Sequence, residues 1–226
     1  MKSMYIIKYS SSKDFTSMKQ IIVFVVIYLL SVTPSLAQII NGLDANVREE
    51  VKAYAKEKVD EFNGHLSFIA SKKYGDAVKD VHIQQALMLF IGKGKASVDN
   101  MGNEIGAPIM QVSFKNRRTG EVRVRDRFLT DYLPAMKNLG YTDVSVTSSE
   151  ATYISDLQKD GVDDDGNERY RAVLSYAQIF VGKRDGIVVY RDLTKKSIEV
   201  YITVKTYGDK KLYEILLGNI KVDATE

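Results

Sequence analysis

The sequence predicts an α+β domain in which N-terminal helices pack on a curved antiparallel sheet. Two observations carry this. Apolar residues recur at three- and four-residue steps from Val47 to Ile69, the stripe of an amphipathic helix. Beyond Pro108 the period changes to two, as in Met110, Val112 and Phe114, which marks half-buried strands. Helices first and strands after, with one short helix between strands, is an α+β order.

The first helix has a start signal in Asn46-Val-Arg-Glu49, a capping box in which Asn46 accepts from the third helical N–H and Glu49 reaches back. Its apolar face is read as Val47, Val51, Tyr54, Ala55, Val59, Phe62, Leu66 and Ile69. Gly75-Asp76 then interrupts the pattern. Asp76 is placed to cap a second helix reaching about Ile91, with Val78, Val81, Leu87, Met88, Phe90 and Ile91 as its apolar residues and Gly92 as its end.

A hairpin follows, with Met110 to Phe114 as one arm, Asn116 to Gly120 as the turn and Val122 onward as the other. Its second arm is expected to bury Val122 and Val124 and to turn Glu121, Arg123 and Arg125 outward. "TDYLPAMKNLG" fits a short helix with Pro134 in its first turn and Gly140 as a left-handed cap. A strand from Asp143 to Leu157, bending near Ser148-Ser149, precedes a hairpin loop, "KDGVDDDGNE". The remaining strands are expected at Tyr170–Val181, at Ile198–Lys205 and over "KLYEILLGNIKV", where Gly218 is a candidate bulge.

The leader sets the compartment. Lys19 precedes an unbroken apolar run, Ile21–Leu30, and Ser35-Leu36-Ala37 places small residues at −3 and −1 before Gln38. That is the pattern of a signal peptide starting at Met18. A membrane span needs roughly 20 apolar residues, so a retained anchor is the weaker alternative. The expectation is a leader over residues 1–37, a single domain over 38–226, and export to a periplasm or beyond the cell. No stable membrane insertion is expected after cleavage.

Of the 32 basic residues, Lys2, Lys8, Lys13 and Lys19 precede Gln38, against only Asp14 of the 29 acidic ones. Cleavage therefore leaves the two signs balanced, and the sequence pI of 8.8 reflects the leader. This removes the overall charge argument for nucleic acid as a partner. A remainder of about 190 residues is one ordinary domain. With no cysteine there are no disulfides, and with two histidines a zinc site is disfavoured. No metal and no cofactor are expected.

In its order of elements, from about Asp44 to Val222, the chain resembles the NTF2-like superfamily, whose members share a cone-shaped α+β fold. The phrases "FLTDYLPAMKNLGYTDVSV" and "VYRDLTKKSIEVYI" are similar to those of exported Bacteroidota members of that superfamily. The likeness carries no activity with it, because the superfamily includes isomerases, dehydratases and pocketed binding or scaffold proteins. Where its members are enzymes, the resemblance implies an Asp, His or Tyr acid–base group inside the cone.

Candidate sites follow from the residues. In "DGVDDDGN" a calcium-loop register puts Gly161 first and Ala172 twelfth, where ligands should stand; the loop reads instead as a solvated hairpin tip. Arg123, Arg125 and Arg127 line one side of a strand, either a charged edge kept soluble or a surface for an acidic partner. His65 and His82 are the only imidazoles. Either is structural, or His82 takes part in acid–base work. In Tyr170–Val181 the alternation puts Tyr176 and Gln178 on the face of Leu174 and Phe180. There Gln178 either satisfies a neighbour or meets a ligand. Asp192 is read as part of a strand-connecting loop. The expected function is binding of a small molecule or protein partner by the cone, with Tyr176, Gln178 and His82 as candidate ligand contacts, or by the outer sheet face. A homodimer through the sheet face is a further possibility. The alternative is a small lyase or isomerase in the same cavity, with acid–base chemistry through His82 or Tyr176, which would then have to converge within hydrogen-bond reach.

Overall fold

The computed structural model describes residues 45–98, 102, 104–115, 118–149, 153–208 and 210–225. The expected leader, with Met18, Ile21–Leu30 and the Ala37 cleavage point, lies outside them, as do Asn116 and Arg117. All the described residues fall in one compact unit. No described helix is long and apolar enough to cross a membrane.

Helix α1 (Ala45–Ala70) buries Val51, Ala55, Val59, Phe62, Leu66 and Ile69. These follow the heptad-like spacing that makes one helix face apolar. Tyr54 falls off this stripe and is exposed. Asn46 lies inside the helix, because α1 already includes Ala45, so it is not the capping residue expected.

Helix α2 (Asp76–Met88) is capped at Gly75, not Asp76, and stops before Leu89. The chain then makes a short 3-10 turn over Ile91–Gly94, with Gly92 and Lys93 at positive φ. Phe90 pairs in a bridge with Leu217, and this strand contact is what ends the helix early. The buried face of α2 is Lys79, Ile83 and Ala86, while Val78, Val81 and Met88 are exposed. The expected face is thus rotated, because Ile83 and Ala86, not the valines, are buried.

Strands β1 (Ser97–Val98) and β2 (Glu104–Ile105) form a small separate pair. The main sheet comprises β3 (Ile109–Lys115), β4 (Val122–Phe128), β5 (Asp143–Ser148), β6 (Tyr153–Ile154), β7 (Gln158–Val162), β8 (Glu168–Arg184), β9 (Ile187–Tyr207) and β10 (Lys210–Thr225). Its order is β4-β3-β10-β9-β8-β5, with β6 and β7 also pairing β8. Every pair is antiparallel except β3 with β10. Helix α3 (Leu129–Met136) joins β4 to the region before β5.

Helix α3 begins at Leu129, so Pro134 is past its first turn, and Gly140 does not take the left-handed conformation. Strands β8 and β9 are longer than the alternation suggested. They are joined by a tight turn in which Asp185 and Gly186 both have positive φ, the conformation a two-residue hairpin requires. Asp192 therefore lies within β9, not in a loop. The acidic loop is shorter than expected, since β7 takes its first residues.

The Gly218 bulge is present. Leu217 pairs with Val200 but Ile220 pairs with Ile198, so one extra residue switches which side of β10 is buried, from Ile215 and Leu217 to Ile220. The Tyr201 ring lies against Gly218, where an added Cβ would stand 2.6 Å from it. Asn219, freed by the bulge, accepts from the Ile109 backbone N–H at 2.9 Å and so ties β3 to β10.

Candidate functional site

Antiparallel partners directly opposite each other share a face. The register of β8 on β9 pairs Leu174 with Ile198, Tyr176 with Lys196, Gln178 with Thr194 and Phe180 with Asp192. The expected alternation holds, since Tyr170, Ala172, Leu174, Tyr176 and Gln178 are all buried. Continuing the same face back along β9 from Ile198 brings Lys196, Thr194 and Asp192 beside them.

Gln178, Phe180, Lys196, Thr194 and Asp192 floor an open cavity of about 410 Å³, within the size range of small-molecule sites, whereas Tyr176 does not line it. One side is built by Met110 of β3, Met136 of α3, Leu139 and Phe180. Tyr132, Tyr141 and Tyr190 add aromatic wall, and Arg127 of β4 also lines the cavity. Phe180 is held edge-on against Tyr141 and Tyr190, with ring centres 5.9 and 5.8 Å away.

Gln178 has both ends occupied. Its Nε2 donates to Asn63 Oδ1 of α1 at 2.6 Å, and its Oε1 accepts from Lys196 Nζ at 2.7 Å. Of the two readings of Gln178, this is the satisfied amide, and it is also a wall of the cavity. Lys196 is only 5% exposed and makes no ion pair among the described residues. Burial pushes its ammonium down to about 8, with the charge of Asp192 acting in the opposite sense. Asp192 itself accepts from Thr194 Oγ1 at 2.9 Å. Tyr176 OH and Asn63 Nδ2 are buried and have no hydrogen-bond partner among the described residues. Burial raises the Tyr176 phenol far above its ordinary range, so it remains a neutral O–H.

The structure separates His82 from this group. His82 and His65 meet Nδ1 to Nδ1 at 2.9 Å, and His82 stacks on Phe68 with ring centres 4.2 Å apart. His82 does not line the cavity. The two imidazoles tie α1 to α2.

The three arginines share one side of an exposed edge strand, as expected, but Val122 and Val124 are not the buried side. Arg127 pairs with Met110, Arg125 with Val112 and Arg123 with Phe114, so all three share the side of buried Met110. Val122 and Val124 take the opposite side. Strand β4 is the sheet's edge and every one of its residues is exposed, so neither side is covered and apolar alternation there does not report burial. Arg127 alone lines the cavity, and Arg123 is held by both carboxylate oxygens of Glu121 at 2.9 and 3.3 Å.

In the acidic loop the Asp163 carboxylate accepts from the loop itself: the Asp165 and Asn167 backbone N–H groups at 3.0 and 2.7 Å, and Asn167 Nδ2 at 2.9 Å. These bonds hold its pKa below the usual carboxylate value. Among the described residues no cluster of three or more His, Asp or Glu is placed to hold a metal ion.

Lys196 is the residue that sequence reasoning missed. Its parity with Ile198 and Val200 was readable, but the charges of "YRDLTKKS" gave the segment the look of a loop. No protein-family model, curated protein or solved structure matches the chain.

Proposed function

We propose that the chain is an exported binding protein of NTF2-like type, which takes a small, mainly apolar molecule into the cavity between α3, β3, β8 and β9. The observation that carries this reading is the cavity's composition: methionine, leucine and aromatic walls around a few convergent polar groups, the usual character of a small-molecule site. The order of elements, two helices, a hairpin, a short helix and a run of antiparallel strands, supports the NTF2-like resemblance. Export rests on the leader pattern alone and is checked by mass spectrometry of secreted material, with Gln38 as the expected first residue.

The rival reading, a lyase or isomerase, called for His82 and Tyr176 to converge. His82 instead belongs to the α1–α2 contact, and Lys196 is engaged by an amide. Neither arrangement favours acid–base turnover over binding.

The neutral dye N-phenyl-1-naphthylamine tests the cavity directly. Saturable fluorescence enhancement at one site is expected, and Ala135→Trp, which places an indole at the cavity wall, should abolish it without unfolding the protein. Undiminished binding by a folded Ala135→Trp variant would locate the dye elsewhere and reject the cavity as the site.

A further inference from the structure

The cavity floor holds a buried ammonium whose donors are not all used. The Lys196 ammonium has three N–H groups, and one of them is used, on Gln178 Oε1. The carboxylate that acts on Lys196, Asp192, already receives the Thr194 hydroxyl and makes no direct contact with the ammonium. Arg127 adds a second positive charge to the same cavity.

A buried cation without a paired anion is costly, and buried donors without acceptors add to that cost. A ligand that brings one negative charge and acceptor lone pairs would relieve both. A cationic head would meet Lys196 and Arg127 and worsen both. The rest of the wall is apolar or aromatic, so the charge must sit at one end of an otherwise apolar body. With a single buried cation at the floor, a monoanion is matched and a more strongly hydrated dianion is not.

From this geometry we infer that the cavity is selective for amphipathic monocarboxylates, with the carboxylate on Lys196 Nζ and the apolar tail along Met110, Met136 and Phe180. The inference rests on the cavity being a binding site, and it adds the chemical class of what is bound.

Three probes with the same eight-carbon tail separate the two levels: octanoate, 1-octanol and octylamine. All are used at pH 7 and below micellar concentrations, as competitors of N-phenyl-1-naphthylamine on the full chain. Octanoate should bind at least tenfold more tightly than octanol, and octylamine most weakly. Lys196→Met should bring octanoate down to the level of octanol. Lys196→Gln provides a second variant with a polar side chain, and circular dichroism confirms the fold of each. Equal binding of octanoate and octanol by the wild-type chain would overturn the carboxylate inference while leaving the cavity as a site. Preference for octylamine would overturn it too. If the dye itself does not bind saturably, the underlying binding reading fails instead.

Discussion

Strands β8 and β9 present one continuous side to the core, yet the two ends of that side differ. At one end the facing pairs are Tyr170 with Ile202, Ala172 with Val200 and Leu174 with Ile198, and all six are buried. One step further along come Tyr176 with Lys196, Gln178 with Thr194 and Phe180 with Asp192. Every one of these pairs carries a polar group. The backbone pairing is unbroken between the two ends, so the change is one of side chains alone. Helix α1 follows it: Phe62 and Leu66 are apolar, while Asn63 is the polar residue aligned on Gln178. Polar groups placed at ordinary core positions weaken a fold unless each is satisfied. The open end therefore gives up stability that the packed end retains, as binding sites commonly do.

The sharpest way to break this comparison is to truncate one large side chain at each end. Ile198 is wholly buried, and Ile198→Ala should cost about 2–5 kcal/mol in urea unfolding, the loss typical of a buried aliphatic truncation. Phe180 is larger but only partly buried, with the cavity on one side. Phe180→Ala should cost less than Ile198→Ala despite removing more atoms. The reverse order would mean that the open end is packed as tightly as the other.

A second substitution should move stability in the opposite direction. Lys196 carries its charge into the core, with a pKa brought down from 10.5 to about 8 by burial. A lysine whose folded pKa lies below its unfolded value binds fewer protons when folded, so its contribution improves as pH rises from about 8 to 10.5 and is lost below that window. At pH 7 the penalty is about 3 kcal/mol by the size of the shift. Lys196→Met removes it but strands Gln178 Oε1, at about 1–2 kcal/mol. The variant should therefore be more stable than wild type at pH 7 by about 1–2 kcal/mol. That advantage should shrink steadily between pH 8 and 10.5. An advantage independent of pH would mean that burial leaves the Lys196 pKa at its unfolded value.

The contrast between the two ends also shows what was legible. The alternation of Leu174 and Phe180 was enough to put Tyr176 and Gln178 on the core side, and Ile198 to Val204 marked the packed half of β9. Strand length was not legible. Lys195, Lys196 and Arg191 carry charges that ordinarily mark solvent, and these outweighed the parity that puts Lys196 on the side of Ile198. The Asp185-Gly186 pair is a strong two-residue hairpin signal and could have extended both strands. For β4 no pattern could have sufficed, because an edge strand open on both sides places no demand on which residues alternate. On α2 the exposed Val78 and Val81 misled for the same reason: apolar residues at the surface are common and do not identify the buried face.

The smallest expected effect lies away from the cavity, at the contact between α1 and α2. His65 and His82 meet through Nδ1 atoms 2.9 Å apart, so one nitrogen donates while the other accepts, and adding a proton to both rings would put two cations in contact. Burial lowers the His65 pKa below 6.5, the charge of His82 lowers it further, and Glu61 acts in the opposite sense. Below pH 6.5 the unfolded chain then binds more protons at this residue than the folded one does. The associated stability is present above pH 6.5 and is lost as pH falls through the folded value. In His65→Gln an amide retains a hydrogen-bonding partner for His82 but cannot titrate. Thermal melts between pH 7 and 5 should therefore show a shallower loss of Tm for His65→Gln than for wild type. Carboxylates elsewhere titrate alike in both proteins, so the difference between the slopes isolates the imidazole. Parallel slopes would mean that the two helices stay joined whatever the charge on His65, leaving the pair with a packing role alone.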